Sequence, residues 1–265
     1  MDKPIPVLGI PIVNGVHWLK RLLDSVDYPV EKCIIINNNG KEELDDELAA
    51  VTSGFHPFIK KFYVITLPGN IGCSGAWNLI IKSAVMADFW IISNHDICFG
   101  SGFLQEMVSI YEKTDAEIIF GEMGAVSGGF DIFLLSDVIV NTCGLFDENF
   151  YPAYAEDTDY SIRLIKANAK MDYVKNAKYY HGDKGYAESG SQTWREDDSL
   201  RVPLLKANYI NQHEYLREKW GPNLKVWQDG FPNPAEAYDT PFNKDDNRFY
   251  STYDLQFVRR KYLGF

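Results

Sequence analysis

The chain has 265 residues, of which 46% are apolar and 24% charged, and its 37 acidic against 26 basic side chains leave a net charge of −11. That length suits one large domain, or one domain with an appended C-terminal segment, with ample apolar content for a buried core. The acidic balance argues against nucleic-acid binding driven by bulk charge, because that binding depends on Lys and Arg displacing counterions.

In chain order, Val7–Val13 is a near-continuous apolar run, the pattern of a strand covered on both faces, and Asn14-Gly15 turns the chain. Trp18, Leu19, Leu22, Leu23 and Val26 recur at helical spacing until Tyr28-Pro29. Cys33–Ile36 predicts a second strand, ended by Asn37-Asn38-Asn39-Gly40, and Phe62–Leu67 a third, closed by Pro68-Gly69-Asn70. A helix is predicted from Ala76 to Ala87 and a fourth strand over Phe89–Ser93. Phe103, Leu104, Met107, Val108 and Tyr111 mark another helix before a strand at Ile118–Phe120. This alternation predicts a doubly wound α/β domain with ligand loops at the C-terminal ends of its strands. Farther on, Phe130–Leu135 predicts a strand, Ser136 caps a short helix that Gly144 ends, Glu156–Asn168 forms a helix, and Met171–Tyr180 forms a strand ending at His181. Residues 182–198 are polar and glycine-rich, and a loop of that length in a compact domain points to function, such as a lid over a bound ligand. Leu200–Trp220 predicts one long helix bent at Pro203, and residues 221–265 are expected to wrap the domain.

Cys33, Cys73, Cys98 and Cys143 are scattered without a CxxC pair, so reduced thiols are expected and no zinc site. The N-terminal stretch lacks a signal-peptide pattern, and no run approaches the ~18 apolar residues of a membrane span. A cytoplasmic protein, soluble or peripheral, is expected.

The chemistry concentrates in a few places. Glu156 and Asp157 sit at a helix start, where free N–H groups and the dipole favour ionised carboxylates. A positioned, ionised carboxylate is what a general base requires, although the same pair would also serve as a cap. Asp96 follows the apolar strand in FWIISNHDICF. A carboxylate there can join phosphate oxygens around magnesium or manganese, or simply cap the next turn. In LPGNIGCSGAWNLIIKSA, Gly69, Gly72 and Gly75 let the backbone approach a ligand, and the helix N-terminus favours phosphate or sugar oxygens. Pro11, Ile12 and Val13 offer an apolar wall, while Asn38 and Asn39 offer amides to a base edge or form an ordinary Asn-Gly turn.

The acidic strand end and the run GLFDENFYPAYAEDTDYSIRLIKA together resemble the family 2 glycosyltransferases of the GT-A fold, from about Val7 to His181. The resemblance implies an α/β, GT-A-like nucleotide-diphospho-sugar transferase fold with a mixed central sheet and helices on both faces. Residues 1–220 would form that domain, with 1–100 as the nucleotide-binding half and 101–220 as the acceptor half, and 221–265 would be a C-terminal extension packed on it. It implies transfer from a nucleotide-sugar donor to an acceptor hydroxyl, inverting and dependent on a divalent metal, Mn2+ or Mg2+. Glu156-Asp157 then takes the place of the catalytic ED motif, with Asp157 as the base. Asn94-His95-Asp96 takes the place of the DxD motif, with Asn94 where the first Asp would stand and Asp96 left to hold the metal, whose shell His181 completes.

Donor contacts fall to Pro11, Ile12, Val13, Asn38, Asn39, Asn70, Gly72, Gly75, Asn78, Asn94, His95 and Asp96. Arg163 matches an Arg common after the ED motif, Trp77 stands where relatives carry Arg, and Tyr151, Pro152 and Tyr154 would line the acceptor side. The acceptor would be a glycan or other hydroxyl compound, with a hydroxylated nucleobase behind it. Two alternatives remain. One is a non-catalytic nucleotide-sugar-binding protein, suggested by the asparagines in both loops. The other is a sugar-phosphate nucleotidyltransferase, which calls for a basic glycine-rich loop where the chain has Asn14-Gly15-Val16-His17.

Overall fold

Apolar runs that cannot leave either face to water must be covered on both, and the fold does this with one sheet between two helical layers. The computed structural model describes residues 3–41, 43–121, 130–182, 192–195, 197–222 and 259. The elements run β1 (Leu8–Ile12), α1 (Val16–Asp24), β2 (Cys33–Asn37), α2 (Glu43–Thr52), β3 (Phe62–Thr66), α3 (Gly72–Ser83), β4 (Phe89–Ser93), β5 (Ile97–Phe99) and α4 (Phe103–Lys113). There follow β6 (Ile118–Phe120), β7 (Ile132–Ser136), α5 (Asp137–Cys143), α6 (Glu156–Lys166), β8 (Met171–Tyr173), β9 (Tyr179–His181), α7 (Asp198–Ile210) and α8 (Leu216–Trp220), the last two joined by one π-helical turn over Asn211–Tyr215.

Seven strands form the main sheet in the order β3-β2-β1-β4-β7-β6-β8. The first four pair in parallel, and β7 runs antiparallel to both β4 and β6, so the sheet is mixed. Chain order reverses between β1 and β4, which opens a crevice at their C-terminal ends. Period-two alternation divides the core. Leu8, Ile10, Cys33 and Ile35 face a layer holding Leu19, Leu22, Leu48 and Met107. Ile34, Ile36, Trp90 and Ile92 face one holding Trp77, Ile80, Ile139 and Leu164. Among the described residues, no helix is long and apolar enough to cross a membrane.

Several elements differ from the sequence expectation, among them β5, for which no strand was expected. Met171–Tyr180 is two strands in two sheets, because the Glu106 carboxylate accepts the N–H groups of Lys175, Asn176 and Ala177 and draws the chain out of the main sheet. β9 instead pairs with β5, placing His181 opposite Ile97. Helix α3 starts at Gly72, one turn before the expected Ala76, and α2 has no counterpart in the sequence reading. The run from Leu200 to Trp220 is helical as expected, with Pro203 inside α7. Most of the expected wrapping segment, 223–258 and 260–265, lies outside the described residues, as does 183–191 of the expected lid. Arg259 donates to the carbonyls of Val85 and Ala87 and pairs with Asp137.

Gly9 marks where α3 presses closest on the sheet: a Cβ there would sit 2.4 Å from Ile80 Cγ2. Gly9→Ala is therefore expected to cost about 1–3 kcal/mol of stability by overpacking, read as a lower urea midpoint at constant m-value. An unchanged midpoint would mean that Ile80 rotates away freely.

Candidate active site

Strand register builds the acidic end of the crevice. The β4–β7 ladder pairs Ser93 with Ile132, and the β5–β9 ladder pairs Ile97 with His181. His181 and the residues just outside those pairs, Asn94 to Asp96 and Asp131, are thereby brought to one place. The Asn94 N–H donates to the Asp131 carbonyl at 2.8 Å. His181 lies between two carboxylates, with Nε2 3.2 Å from Asp96 Oδ1 and Nδ1 3.1 Å from Asp131 Oδ2. Asp96 is 1% exposed, and its second oxygen accepts the Gln192 N–H at 2.8 Å. Burial alone would raise the Asp96 carboxyl, but His181 and that N–H hold it down at about 2. Burial likewise opposes a charged His181, and the hydrogen bonds and charges of Asp131 and Asp96 override it, taking the imidazole up to about 10.

His181 Nε2 is buried and faces Asp96 Oδ1 at 3.2 Å. With its proton displaced, a buried imidazole nitrogen opposed to a buried carboxylate oxygen would suit a divalent cation, imidazole favouring manganese and phosphate oxygens filling the remaining positions. Among the described residues, no group of three His, Cys, Asp or Glu side chains is placed to hold an ion by itself. Asp96 and His181 would thus be two ligands of a shell completed by others.

The asparagines at the neighbouring strand ends act as latches. Asn38 Nδ2 donates to Asn70 Oδ1 at 3.2 Å and to the Gly72 carbonyl at 3.1 Å, while its Oδ1 accepts the Ile71 N–H at 2.8 Å. Asn70 Oδ1 also accepts the Gly72 N–H at 2.7 Å. Asn39 donates to the Val13 carbonyl, and Asn14 donates to the Thr193 carbonyl at 2.8 Å, which seats Gln192–Arg195 beside the end of β1. Pro11 and Val13 are half-buried at that end, and Ile12 is buried.

Two of the expected donor residues are occupied elsewhere. Asn78 spends its whole amide on the Phe146 carbonyl, the Phe146 N–H and Glu148, tying α3 to the segment before α6. Gly75 packs against Ile71, where a Cβ would meet Cγ1 at 3.2 Å. His95 is buried and Asn94 half-buried. Trp77 is core, with the rings of Phe133 and Phe146 at 5.3 and 4.8 Å.

On the far side, the turn into α6 is backbone-strained. Tyr154 and Ala155 have φ of 78° and 72°, left-handed values that cost a non-glycine residue about 1–3 kcal/mol and persist only when the surroundings impose them. Here the surroundings do so from three directions. Asn211 Nδ2 donates to the carbonyls of Ala153 and Tyr154 at 2.9 and 3.1 Å, the Cys73 N–H donates to the Pro152 carbonyl at 2.7 Å, and the Asp159 N–H donates to the Ala155 carbonyl at 2.9 Å. The turn delivers Glu156 and Asp157 to the helix start.

Burial raises both carboxylates above their ordinary values, against the stabilisation of charge expected at a helix start. It pushes Glu156 up to about 8, with the Asp157 charge adding to the effect. Burial also raises Asp157, opposed by its bonds from Thr158 and reinforced by the charge of Asp131. One Glu156 oxygen, Oε2, is buried with no hydrogen-bond partner.

Several residues that sequence reasoning passed over hold this arrangement. Asp159 is fully buried and takes Lys219 Nζ at 2.7 Å, Trp220 Nε1 at 2.8 Å and Arg163 Nη2 at 2.8 Å. Lys219 also pairs with Asp147 at 2.8 Å, and Arg163 donates to the carbonyls of Cys143 and Leu145. Arg163 is therefore a brace for α6. The i,i+4 spacing of Asp159 and Arg163 was a usable signal, whereas Asp131, Asn211 and Lys219 had none that was local.

Residues 8–159, more than half of the chain, match the family described as Glycosyl transferase family 2. A galactofuranosyl glycosyltransferase of Leishmania donovani is 23% identical over 314 residues, covering 90% of this chain and 71% of that protein. The mannosyltransferase PcManGT from Pyrobaculum calidifontis, solved in complex with GDP-Man and Mn2+, aligns with a TM-score of 0.57 at 12% identity, over 78% of this chain and 70% of that one. GalNAc-T7 with UDP, GalNAc and Mn2+ gives 0.58 at 13% identity, over 82% and 48%. TarS 1–349 of S. aureus gives 0.53 at 14% identity, over 81% and 68%. At such identities the likeness shows the fold, and it is the GT-A-like one that the sequence implied.

The raised Glu156 pKa has a thermodynamic consequence. Between the ordinary value of 4.5 and about 8 the folded state holds a proton that the unfolded chain has released, so this residue's contribution to stability falls as pH rises through that window. Glu156→Gln removes the titration. Its stability relative to wild type is expected to grow by about 2–4 kcal/mol between about pH 5 and about pH 8 in urea titrations. Parallel pH profiles for the two proteins would mean that Glu156 is ionised in the fold.

Proposed function

Because the chain belongs to glycosyl transferase family 2, we propose that it moves a sugar from a nucleotide-sugar donor to an acceptor hydroxyl, with inversion at the anomeric carbon and a divalent cation bound to Asp96 and His181. The observation that carries this reading is that His181 joins Asp96 to Asp131, and that the charge of Asp131 in turn reaches Asp157 at the start of α6. The Mn2+ and nucleotides bound in the mannosyltransferase and in GalNAc-T7 support it.

Each residue then has a task. Val13, Asn38, Asn39 and Asn70 shape the wall and floor for the base and ribose, largely through the backbone they latch in place. Gly72 lets the start of α3 pass close to Pro152 and Tyr151, where a Cβ would meet both at 3.2 Å, and its own N–H is taken by Asn70. Asp96 and His181 hold the cation, which when bound supplies positive charge for the departing diphosphate. Asp157 removes the proton of the attacking hydroxyl as the oxygen displaces the nucleotide from the opposite face. Half-buried and of raised pKa, it is a stronger base than an exposed aspartate. Glu156, neighbouring on the helix and so pointing about 100° away, cannot face the same hydroxyl. Tyr151, Pro152 and Tyr154 would meet the acceptor, a glycan or another hydroxyl compound. A cytoplasmic location, soluble or peripheral, belongs to the same reading and is supported by four cysteines that are all free.

Release of nucleoside diphosphate from candidate nucleotide-sugars in the presence of acceptor tests the reading directly. Asp157→Asn is expected to lower kcat by about 10²–10⁴ while donor affinity is kept; retention of most of kcat would remove Asp157 from the chemistry. In wild type, activity requires the deprotonated carboxylate. The acid limb of kcat should therefore lie above the ordinary aspartate value of 3.8, with activity lost as pH falls through it. Chelator should abolish turnover and Mn2+ or Mg2+ restore it, with Asp96→Ala matching the chelated state. Full activity in chelator would withdraw the metal.

A further inference from the structure

A histidine that binds an ion through one ring nitrogen must keep its proton on the other, and the group that accepts that proton's hydrogen bond fixes both tautomer and ring direction. We propose that Asp131 is that group: a positioning residue whose carboxylate holds Nδ1–H of His181 and aims Nε2 at Asp96 Oδ1. This rests on the reading that Asp96 and His181 bind the cation.

The geometry supports it at each point. Asp131 Oδ2 lies 3.1 Å from His181 Nδ1, and Nε2, on the other side of the ring, lies 3.2 Å from Asp96 Oδ1. The three groups are therefore in line: carboxylate, imidazole, carboxylate. Asp131 is held from both its backbone and its side chain. Its carbonyl accepts the Asn94 N–H at 2.8 Å, and its Oδ2 also accepts the Tyr179 hydroxyl at 3.3 Å. Tyr179 and His181 are two apart on β9 and so share a face of that strand, from which both reach the same carboxylate oxygen. Tyr179 is buried, with its ring so close to Gly121 that a Cβ there would meet it at 2.7 Å. Ordinary packing does not require a carboxylate here. The position lies one residue before β7, just outside the Ser93–Ile132 pair that ends the ladder, where the sheet itself does not call for a carboxylate.

The test reads metal affinity rather than turnover. Mn2+ alone is titrated into the full chain and followed by water-proton relaxation, for wild type, His181→Ala, Asp131→Ala, Asp131→Asn and Tyr179→Phe, with thermal melts as the control for folding. Asp131→Ala is expected to weaken Mn2+ binding by about 10–100-fold, Asp131→Asn to fall near the lower end of that range, and Tyr179→Phe to lose less than either. A purely structural Asp131 would lower the melting temperature and leave Mn2+ affinity untouched. Wild-type affinity in Asp131→Ala, with His181→Ala impaired, overturns the proposal while the metal reading stands. Should Asp131→Ala not fold, Asp131→Asn decides by the same criterion. If wild type binds no Mn2+, or His181→Ala binds it normally, the metal site itself fails and the positioning role falls with it.

Discussion

Two antiparallel ladders end at the same point, and the acidic side of the crevice depends on that coincidence. The β4–β7 pairing fixes Asp131 beside Asn94, and the β5–β9 pairing fixes His181 beside Asp96. Register in a sheet is discrete: a slip by one residue sends every side chain to the opposite face. His181 therefore reaches Asp96 in one register only. The small ladder is kept in that register from outside by Glu106, which gathers the N–H groups of residues 175–177 and diverts the chain from β8 to β9. Arg21 adds a tie from α1, donating to the carbonyls of Asp96 and Gly182 at 3.1 and 2.9 Å.

The opposite side is fixed by charge. Helix α6 begins with three acidic residues, and the third, Asp159, is turned into the core, where Lys219, Arg163 and Trp220 surround it. A buried ion group of this kind contributes little net stability, yet removing one partner leaves an uncompensated charge and costs about 3–5 kcal/mol. Its value here is geometric. Lys219 and Trp220 belong to α8, and Asn211, one helical segment earlier, holds the carbonyls of the strained turn at Ala153 and Tyr154. The C-terminal helices thus act on Asp157 at two points, the axis of its helix and the turn that begins it. The π turn over Asn211–Tyr215 lies at that junction, in keeping with the tendency of such turns to occur at functional places.

What could be read in the sequence follows how local each signal was. The strands Leu8–Ile12, Cys33–Asn37 and Phe89–Ser93 announced themselves because both faces are buried. The acidic motifs were legible because their members are contiguous or stand at strand and helix ends. Helix α2 went unseen because Leu44 and Leu48 are its buried anchors amid acidic and small residues. Met171–Tyr180 read as one strand because the carboxylate that divides it, Glu106, lies on a distant helix. Asp131 had no local signature. Its significance comes from the far end of another strand's register, which periodicity cannot supply. Asn38 and Asn70 were legible as loop residues, but their mutual bonding, which turns their side chains from ligand to scaffold, was not.

The electrostatic balance of the crevice gives a reason for Asn94. Asp96, Asp131, Glu156 and Asp157 share one end of the sheet. Like charges about 4 Å apart repel by about 1 kcal/mol in water and by about 4 kcal/mol at a partly shielded protein site. The fold relieves this in two ways: His181 is shared between Asp96 and Asp131, and Glu156 is buried deeply enough to keep its proton to about 8. A carboxylate at 94 would add a further negative charge next to Asp96 and Asp131, where His181 and His95 already face Asp96. The amide at 94 avoids that charge, while its N–H helps to hold Asp131 in place. Asp131, arriving at the head of β7, instead supplies a second acid on the other side of the histidine.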